Sequence, residues 1–293
     1  MQPSRYERLL IAYARHFPIR RGKMRVIDAL WRSAANAQGT QRVANLRYAR
    51  FKMPCDLSEM LQRQFYFFGT YFLEEQILDC WEDEARSAEV VFDVGANAGI
   101  YSLAALAINP NTTVHAFEPT PEIATRLRAT AKLNGLDRLH VHELAVSSDN
   151  GFATLRRYRG DLGTNEGMNY ISADLGESSA GRLPTVCLDQ FCADHAIDRV
   201  DLLKLDIQGN EPSALAGAKH LLATGAIGTI FTELNWGIDA TTTSSATESI
   251  RLLEEVGYRF SKPRKPLSWK ESGKSLWPLS DVVASRAHQD QKI

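Results

Sequence analysis

The sequence predicts an α/β protein with a doubly wound, mostly parallel seven-stranded sheet, a C-terminal antiparallel hairpin and a helical N-terminal extension. Three observations carry this. From residue 89 onward, short apolar runs alternate with stretches of helical periodicity, the pattern of βαβ units whose sheet is covered on both faces. In "VVFDVGANAGIYSLAALAI" (90–108) an apolar strand gives way to an apolar helix across Asp93, Gly95, Asn97 and Gly99. Near the C-terminus, "GYRFSK" and "SDVVASR" flank a Pro/Trp/Lys-rich connection and read as a hairpin closing the sheet edge.

The elements follow in order. Before residue 85 the pattern is helical: Leu9, Leu10, Tyr13 and Phe17 recur on one face, as do Val26, Ile27, Leu30 and Trp31. "EVVFDV" (89–94) is a buried strand followed by a helix over 98–108. "TVHAFE" (113–118) is the second strand, and its helix starts at Pro121 and ends at Asn134-Gly135. "LHVHELAV" (139–146) is the third. Residues 152–191 read as a strand, a long Gly/Ser/Asn-rich loop (160–181) and a return strand. "DLLKLD" (201–206) and "IGTIFTEL" (227–234) are further strands around a helix from Glu211 to Ala223, and a last helix spans 245–256. Residues 1–85 are thus expected to form a basic helical extension that can act as a substrate region or lid, 86–286 the ligand-binding domain, and 287–293 a frayed tail.

Composition bounds the function. With 44% hydrophobic and 24% charged residues in 293, the chain can bury a sizeable core. The apolar stretch 90–108 is long, but Asp93 and Asn97 argue against a membrane span, and "LLIAY" near the start lacks a cleavage site. A cytoplasmic location is expected. Four cysteines form no CxxC pair and adjoin no histidine pattern, so neither zinc nor a disulfide framework is expected. Charge is lopsided: residues 1–52 carry twelve Lys/Arg against Glu7 and Asp28, a formal +10, and 56–93 carry ten acids against Arg63 and Arg86. The basic arm can dock on the acidic segment that follows it, or meet an anionic membrane peripherally.

The junction at 93–99 holds the chemistry. In an open α/β sheet, ligands bind beyond the C-terminal strand ends, where glycine admits a ligand to the backbone and the next helix offers free N–H groups. A dinucleotide fingerprint would require GxGxxG, whereas here the loop reads Gly95-Ala-Asn-Ala-Gly99. Glu118 ends the next strand, where a carboxylate can accept both hydroxyls of a ribose or cap the following helix. In "VDLLKLDIQGNEPSALAGA" (200–218), Lys204 breaks a buried run and must pair or snorkel. Asp206, Gln208 and Glu211 then face the same sheet edge, unless Asp206 caps its helix. His115, His140 and His142 read as packing or surface residues.

"FDVGANAGIYSLAALA", "FEP", "LAVSSDNG", "TVCLDQF" and "VDLLKLDIQGNEPSALAGA", in that order and spacing, resemble the FkbM-type family of S-adenosylmethionine-dependent methyltransferases. "LSEMLQRQFYFFGTYFLEEQIL" resembles the segment preceding the cofactor domain, so the likeness covers roughly residues 55–235. The resemblance implies a Rossmann-like class I methyltransferase fold with S-adenosyl-L-methionine as cofactor. By analogy Asp93, Gly95, Asn97 and Gly99 would hold its methionine part and Glu118 its ribose, while Glu143 and Ala145 would line the adenine. Asp206, Glu211 and Glu233 would be the catalytic carboxylates, since an alcohol needs a general base. Tyr71, Glu74, Asn235 and Trp236 would meet the acceptor, expected to be a small molecule or glycan and not DNA; no metal ligands are assigned. Two departures stand out: the family usually has a glutamate where Gln208 stands, and a Tyr-Glu after the upstream glycine, where this chain has "TYFLEE" after Gly69. The implied activity is O-methylation of a hydroxyl on a glycan or secondary metabolite. RNA or protein N-methylation, a cofactor-binding scaffold without catalysis, and an NAD enzyme are the alternatives.

Overall fold

The computed structural model describes residues 3–34, 39–48, 51–156, 159–160, 163–164, 170–172, 182–235, 240–261 and 279–286. The chain begins with helices α1 (Arg5–His16) and α2 (Lys23–Ala34), strands β1 (Gln41–Asn45) and β2 (Lys52–Asp56), helix α3 (Met60–Phe68), a 3-10 turn at Phe72–Glu74, and α4 (Glu75–Ala85). Ser4 starts α1 through a reciprocal capping box with Glu7. The antiparallel β1–β2 hairpin corrects the all-helical expectation for this region. Its period of two is hidden because an arginine occupies an inward position. Arg42 and Ala44 face in on β1, Met53 and Cys55 on β2, and Arg42 Nε donates to Glu7 Oε1 at 2.6 Å in a buried ion pair. The basic arm also docks on the acidic segment after it. Arg47 pairs with Glu75, Asp79 and Glu82 at 2.9, 2.7 and 2.9 Å, and Arg20 pairs with Glu75.

The main sheet comes next. Strand β3 (Val90–Val94), helix α5 (Ile100–Ile108), β4 (Thr113–Phe117), α6 (Pro121–Asn134) and β5 (Leu139–His142) run in βαβ succession. A second, four-stranded sheet contains β6 (Ala145–Val146), β7 (Gly151–Arg156), β10 (Tyr170–Ser172) and β11 (Arg182–Val186), with the short pair β8 (Arg159–Gly160) and β9 (Gly163–Thr164) between β7 and β10 in the chain. Then follow α7 (Leu188–Asp194), β12 (Val200–Leu205), α8 (Glu211–Ala216), α9 (Lys219–Thr224), β13 (Ile227–Asn235), α10 (Ala240–Glu255), β14 (Tyr258–Ser261) and β15 (Leu279–Arg286). The main sheet has the order β14-β15-β13-β12-β3-β4-β5 and is parallel except at β15. It is a Rossmann-like sheet with the C-terminal antiparallel hairpin at one edge.

Both faces are covered, which is why these strands read as unbroken apolar runs. Val91, Val114, Ala116 and Leu202 pack with the N-terminal elements, while Phe92, Val94, Phe117, Leu203 and Leu205 pack in a second cluster with α7, α8 and α9. Three local departures have physical causes. The run 139–146 divides because β6 leaves the main sheet to pair with β11. "LDQFCAD" forms a short helix because Leu188, Phe191 and Cys192 all turn inward. The helix expected over 211–223 breaks at Gly217, where a Cβ would meet Ser147 O at 2.1 Å.

Candidate active site

Strand order reverses between β3 and β12: the chain winds from β3 to β4 and β5 on one side, and from β12 to β13 on the other. The crevice beyond these strand ends is where an α/β sheet takes its ligand. The junction after β3 is built from left-handed turns, with φ of 80° at Gly95, 49° at Asn97 and 79° at Gly99. Gly95 is required by close approach: a Cβ there would lie 2.0 Å from Asp206 O in the loop after β12. Helix α5 starts at Gly99, which brings no side chain of its own to cap the first turn; the Ser102 amide of that turn is met by the Asp93 carboxylate. Glu118 is buried at the tip of β4, accepting from Asn97 N at 3.0 Å through one oxygen and from Thr120 N at 2.8 Å through the other.

Asp93 is buried against helix α5. It is 2% exposed, and its Oδ2 accepts from both the amide and the hydroxyl of Ser102, at 3.0 and 2.6 Å. Burial pushes its pKa up, against the Ser102 bonds and the Lys204 charge. It fixes the start of α5. Glu211 is likewise buried: its Oε1 accepts from Ile207 N at 3.1 Å and Gly209 N at 3.2 Å, and burial raises its pKa. It clamps the 206–211 loop from behind.

The remaining polar groups converge. Lys204, 2% exposed in a strand interior, reaches Asp206 Oδ2 at 3.2 Å and lies 4.8 Å from the Tyr101 ring centroid. Gln208, held at φ 54°, donates from Nε2 to Asp206 Oδ1 at 3.0 Å and to Glu233 Oε2 at 3.1 Å. From the N-terminal side, Glu74 Oε2 accepts from Tyr101 Oη at 2.6 Å. Tyr71 completes the cluster: burial, then the charges of Glu74, Asp206 and Glu233, drive its pKa well above the ordinary range. The structure therefore gathers Tyr71, Glu74, Asp206 and Glu233 of the expected residues in one place. It adds Lys204, Gln208 and Tyr101 as their partners. Lys204 announced itself by interrupting an apolar strand; Tyr101, inside an apolar helix, left no comparable signal.

The other expected residues lie elsewhere or outside this cluster. Glu143 follows β5 and pairs with Arg128 at 3.0 Å on a half-exposed surface. Ala145 is buried in β6, paired with Thr185 of the second sheet. Asn235 ends β13 opposite Leu279, and Trp236 lies outside the described residues.

Residues 93–260 match the family described as the methyltransferase FkbM domain, more than half of the chain. The chain belongs to this family. The FkbM domain as matched runs from Asp93 to Phe260, and so contains the junction, Glu118 and the β12 loop. Among curated proteins it is 29% identical to the 2-O-methyltransferase NoeI of Sinorhizobium fredii over 144 residues, 45% of this chain and 58% of that protein. It is 32% identical to the 31-O-demethyl-FK506 methyltransferase FkbM of Streptomyces tacrolimicus over 162 residues, 46% of this chain and 62% of that one. The chain thus spans about three fifths of the length of these relatives. Among solved structures, a SAM-dependent methyltransferase from Agrobacterium tumefaciens aligns at TM-score 0.46 and 10% identity, covering 86% of this chain and 71% of that one.

The cofactor of the FkbM methyltransferases is S-adenosylmethionine. The residues present fit its nucleoside part. Glu118 is a buried carboxylate just past the end of β4, an acceptor-only group of the kind that takes the hydroxyls of a ribose. Gly95 and Gly99 leave the backbone of the junction without side chains, which suits the close approach of a ligand.

Proposed function

We propose that this protein O-methylates a hydroxyl group of a glycan or secondary metabolite, with Asp206 as the general base. S-adenosylmethionine, when bound, supplies an electrophilic methyl group. What the protein adds is position and proton management. Glu118 and the 95–99 loop hold the donor on one side of the switch point. Asp206 stands at the tip of the neighbouring strand, joined to the junction through its own amide, which donates to Val94 O at 3.2 Å.

The observation that supports Asp206 is its pair of side-chain donors, Lys204 on one oxygen and Gln208 on the other. They fix its orientation without tying it to the backbone. Gln208 in turn links Asp206 to Glu233, which is thereby a positioning group. Tyr71 and Glu74, on the turn before α4, border the same cluster and form the acceptor side; Asn235 at the end of β13 and Trp236 next in the sequence are the further candidates for it. One relative named a 2-O-methyltransferase and another named a 31-O-demethyl-FK506 methyltransferase support oxygen as the atom methylated.

The test is twofold. S-adenosylmethionine binding is measured by calorimetry, and methyl transfer is followed by mass spectrometry across a panel of hydroxylated glycans and metabolites. Asp206→Asn should lower kcat by about 10²- to 10⁴-fold while leaving cofactor affinity unchanged. An unaltered kcat removes Asp206 as the base. Tight cofactor binding by the native chain without turnover on any acceptor would replace the enzyme by a scaffold.

A further inference from the structure

Helices α1 and α2 lie side by side, with Tyr6 Oη donating to Leu30 O at 2.9 Å. Each buries one part of its apolar arc, Leu10 and Ala14 on α1 and Ile27 and Trp31 on α2. The adjoining part of each arc is turned to solvent. Tyr6, Leu9 and Phe17, with Ile19, Val26 and Leu30, are all exposed, Leu9 by 70% and Ile19 by 58%. Isolated exposed apolar side chains are unremarkable, but six on two adjacent helices and the turn joining them form a patch.

Its charge is one-sided. Arg5, Arg8, Arg21 and Arg25 are exposed and form no ion pair with a described residue. The only acids in residues 1–52 are Glu7 and Asp28, and both are consumed, Glu7 by Arg42 and Asp28 by Arg63 at 2.8 Å. The patch therefore combines apolar side chains with uncompensated guanidinium groups. That is the chemistry of an interfacial helix on an anionic bilayer, where apolar residues enter the headgroup layer and arginines meet phosphates. No helix among the described residues is long and apolar enough to cross a membrane, so the contact lies on the surface.

We propose that the α1–α2 hairpin docks this protein on an anionic lipid surface. The turn between the helices carries Arg20, which lies 4.5 Å from the Phe72 ring centroid and pairs with Glu75. A docked hairpin thus holds the segment bearing Tyr71 and Glu74 beside the lipid.

The test is flotation of the full chain with vesicles of phosphatidylcholine alone or mixed with phosphatidylglycerol. Binding is expected only to the mixed vesicles, and it should weaken with salt. Replacing Arg5, Arg8 and Arg25 by Glu should lower partitioning by about a hundredfold. Replacing Leu9, Val26 and Leu30 by Ser should lower it as clearly, with the native circular dichroism spectrum retained because these three side chains lie on the exposed face of the helices. No binding to anionic vesicles overturns the proposal. So does binding that ignores the serine changes, which would mark a surface for a polyanion such as RNA. A stable dimer that the serine changes dissociate would assign the patch to a second copy of the chain.

Discussion

Gly95→Ala tests the contact on which the whole crevice depends. The alanine Cβ would stand 2.0 Å from Asp206 O, 3.0 Å from its carbonyl carbon and 3.1 Å from Ile207 Cγ2. Restoring an ordinary contact of about 3.4 Å requires the two backbones to part by roughly 1.4 Å, in an interior that is close-packed. The left-handed conformation at φ 80° costs an alanine ~1–2 kcal/mol, and the overpacking adds ~1–3 kcal/mol. Together these correspond to a fall in Tm of roughly 5–15 °C for a chain of this size.

Gly135→Ala is the matched control. Gly135 ends α6 at φ 64° with nothing within 4 Å of a built Cβ, so only the conformational cost applies. Its Tm should fall by roughly 3–6 °C. Activity should separate the pair further. Displacing Asp206 by about 1 Å costs on the order of 10²-fold in kcat, whereas Gly135→Ala leaves turnover as it was. Thermal unfolding and steady-state kinetics on both variants decide the matter. Equal Tm losses, or a Gly95→Ala enzyme with native kcat, would refute the reasoning.

Two other predictions follow from the same geometry. Gln208→Glu puts a third carboxylate within hydrogen-bonding distance of Asp206 and Glu233, in place of an amide that donates to both. The added charge disfavours ionisation of the base, so the acidic limb of the pH–rate profile should move to higher pH; a profile that stays in place removes Gln208 from the base's environment. His115 and His142 face each other with ring nitrogens 3.0 Å apart, packed against Phe191. Burial, then neighbouring histidines, push His115 down to about 3 and His142 down to about 4. Both stay neutral in the fold while an unfolded histidine titrates near pH 6.5, so the unfolded chain binds protons first. Stability is full above about pH 6.5 and falls as pH drops toward 4, by up to ~1.4 kcal/mol per unit for each histidine. Urea unfolding midpoints between neutral and mildly acidic pH should trace this, and a flat series would contradict it.

The seven-stranded sheet was legible because its strands are buried on both faces and so appear as apolar runs between helical stretches. The helix Pro121–Asn134 matches its expected bounds, since Pro at its start and Gly135 at its end act through local backbone geometry. Elements defined by distant partners were not legible. β1 reads as a strand only once Arg42 is known to face inward toward Glu7, 35 residues away. The break at Gly217 depends on Ser147, 70 positions earlier in the chain. The same holds within the site. The sequence placed Asp93, Asp206, Glu211 and Glu233 at strand ends, but not the direction in which each carboxylate points.

That direction divides the acids by the kind of donor they meet. Asp93 and Glu211 accept from backbone amides of the turns they support. Drawing either toward a ligand would strand a buried amide, at ~1–3 kcal/mol for each bond lost. In this arrangement both carboxylates support the turns around them. Asp206 and Glu233 are held by the ammonium of Lys204 and the amide of Gln208. These donors sit on rotatable side chains, so at Asp206 an entering hydroxyl can share or replace one of their bonds without orphaning the main chain. Glu118 is fixed through one backbone amide on each oxygen. A rigid acid of that kind suits a ligand that must be held the same way in every turnover, and the more adjustable pair suits a group that has to accept a proton and give it up.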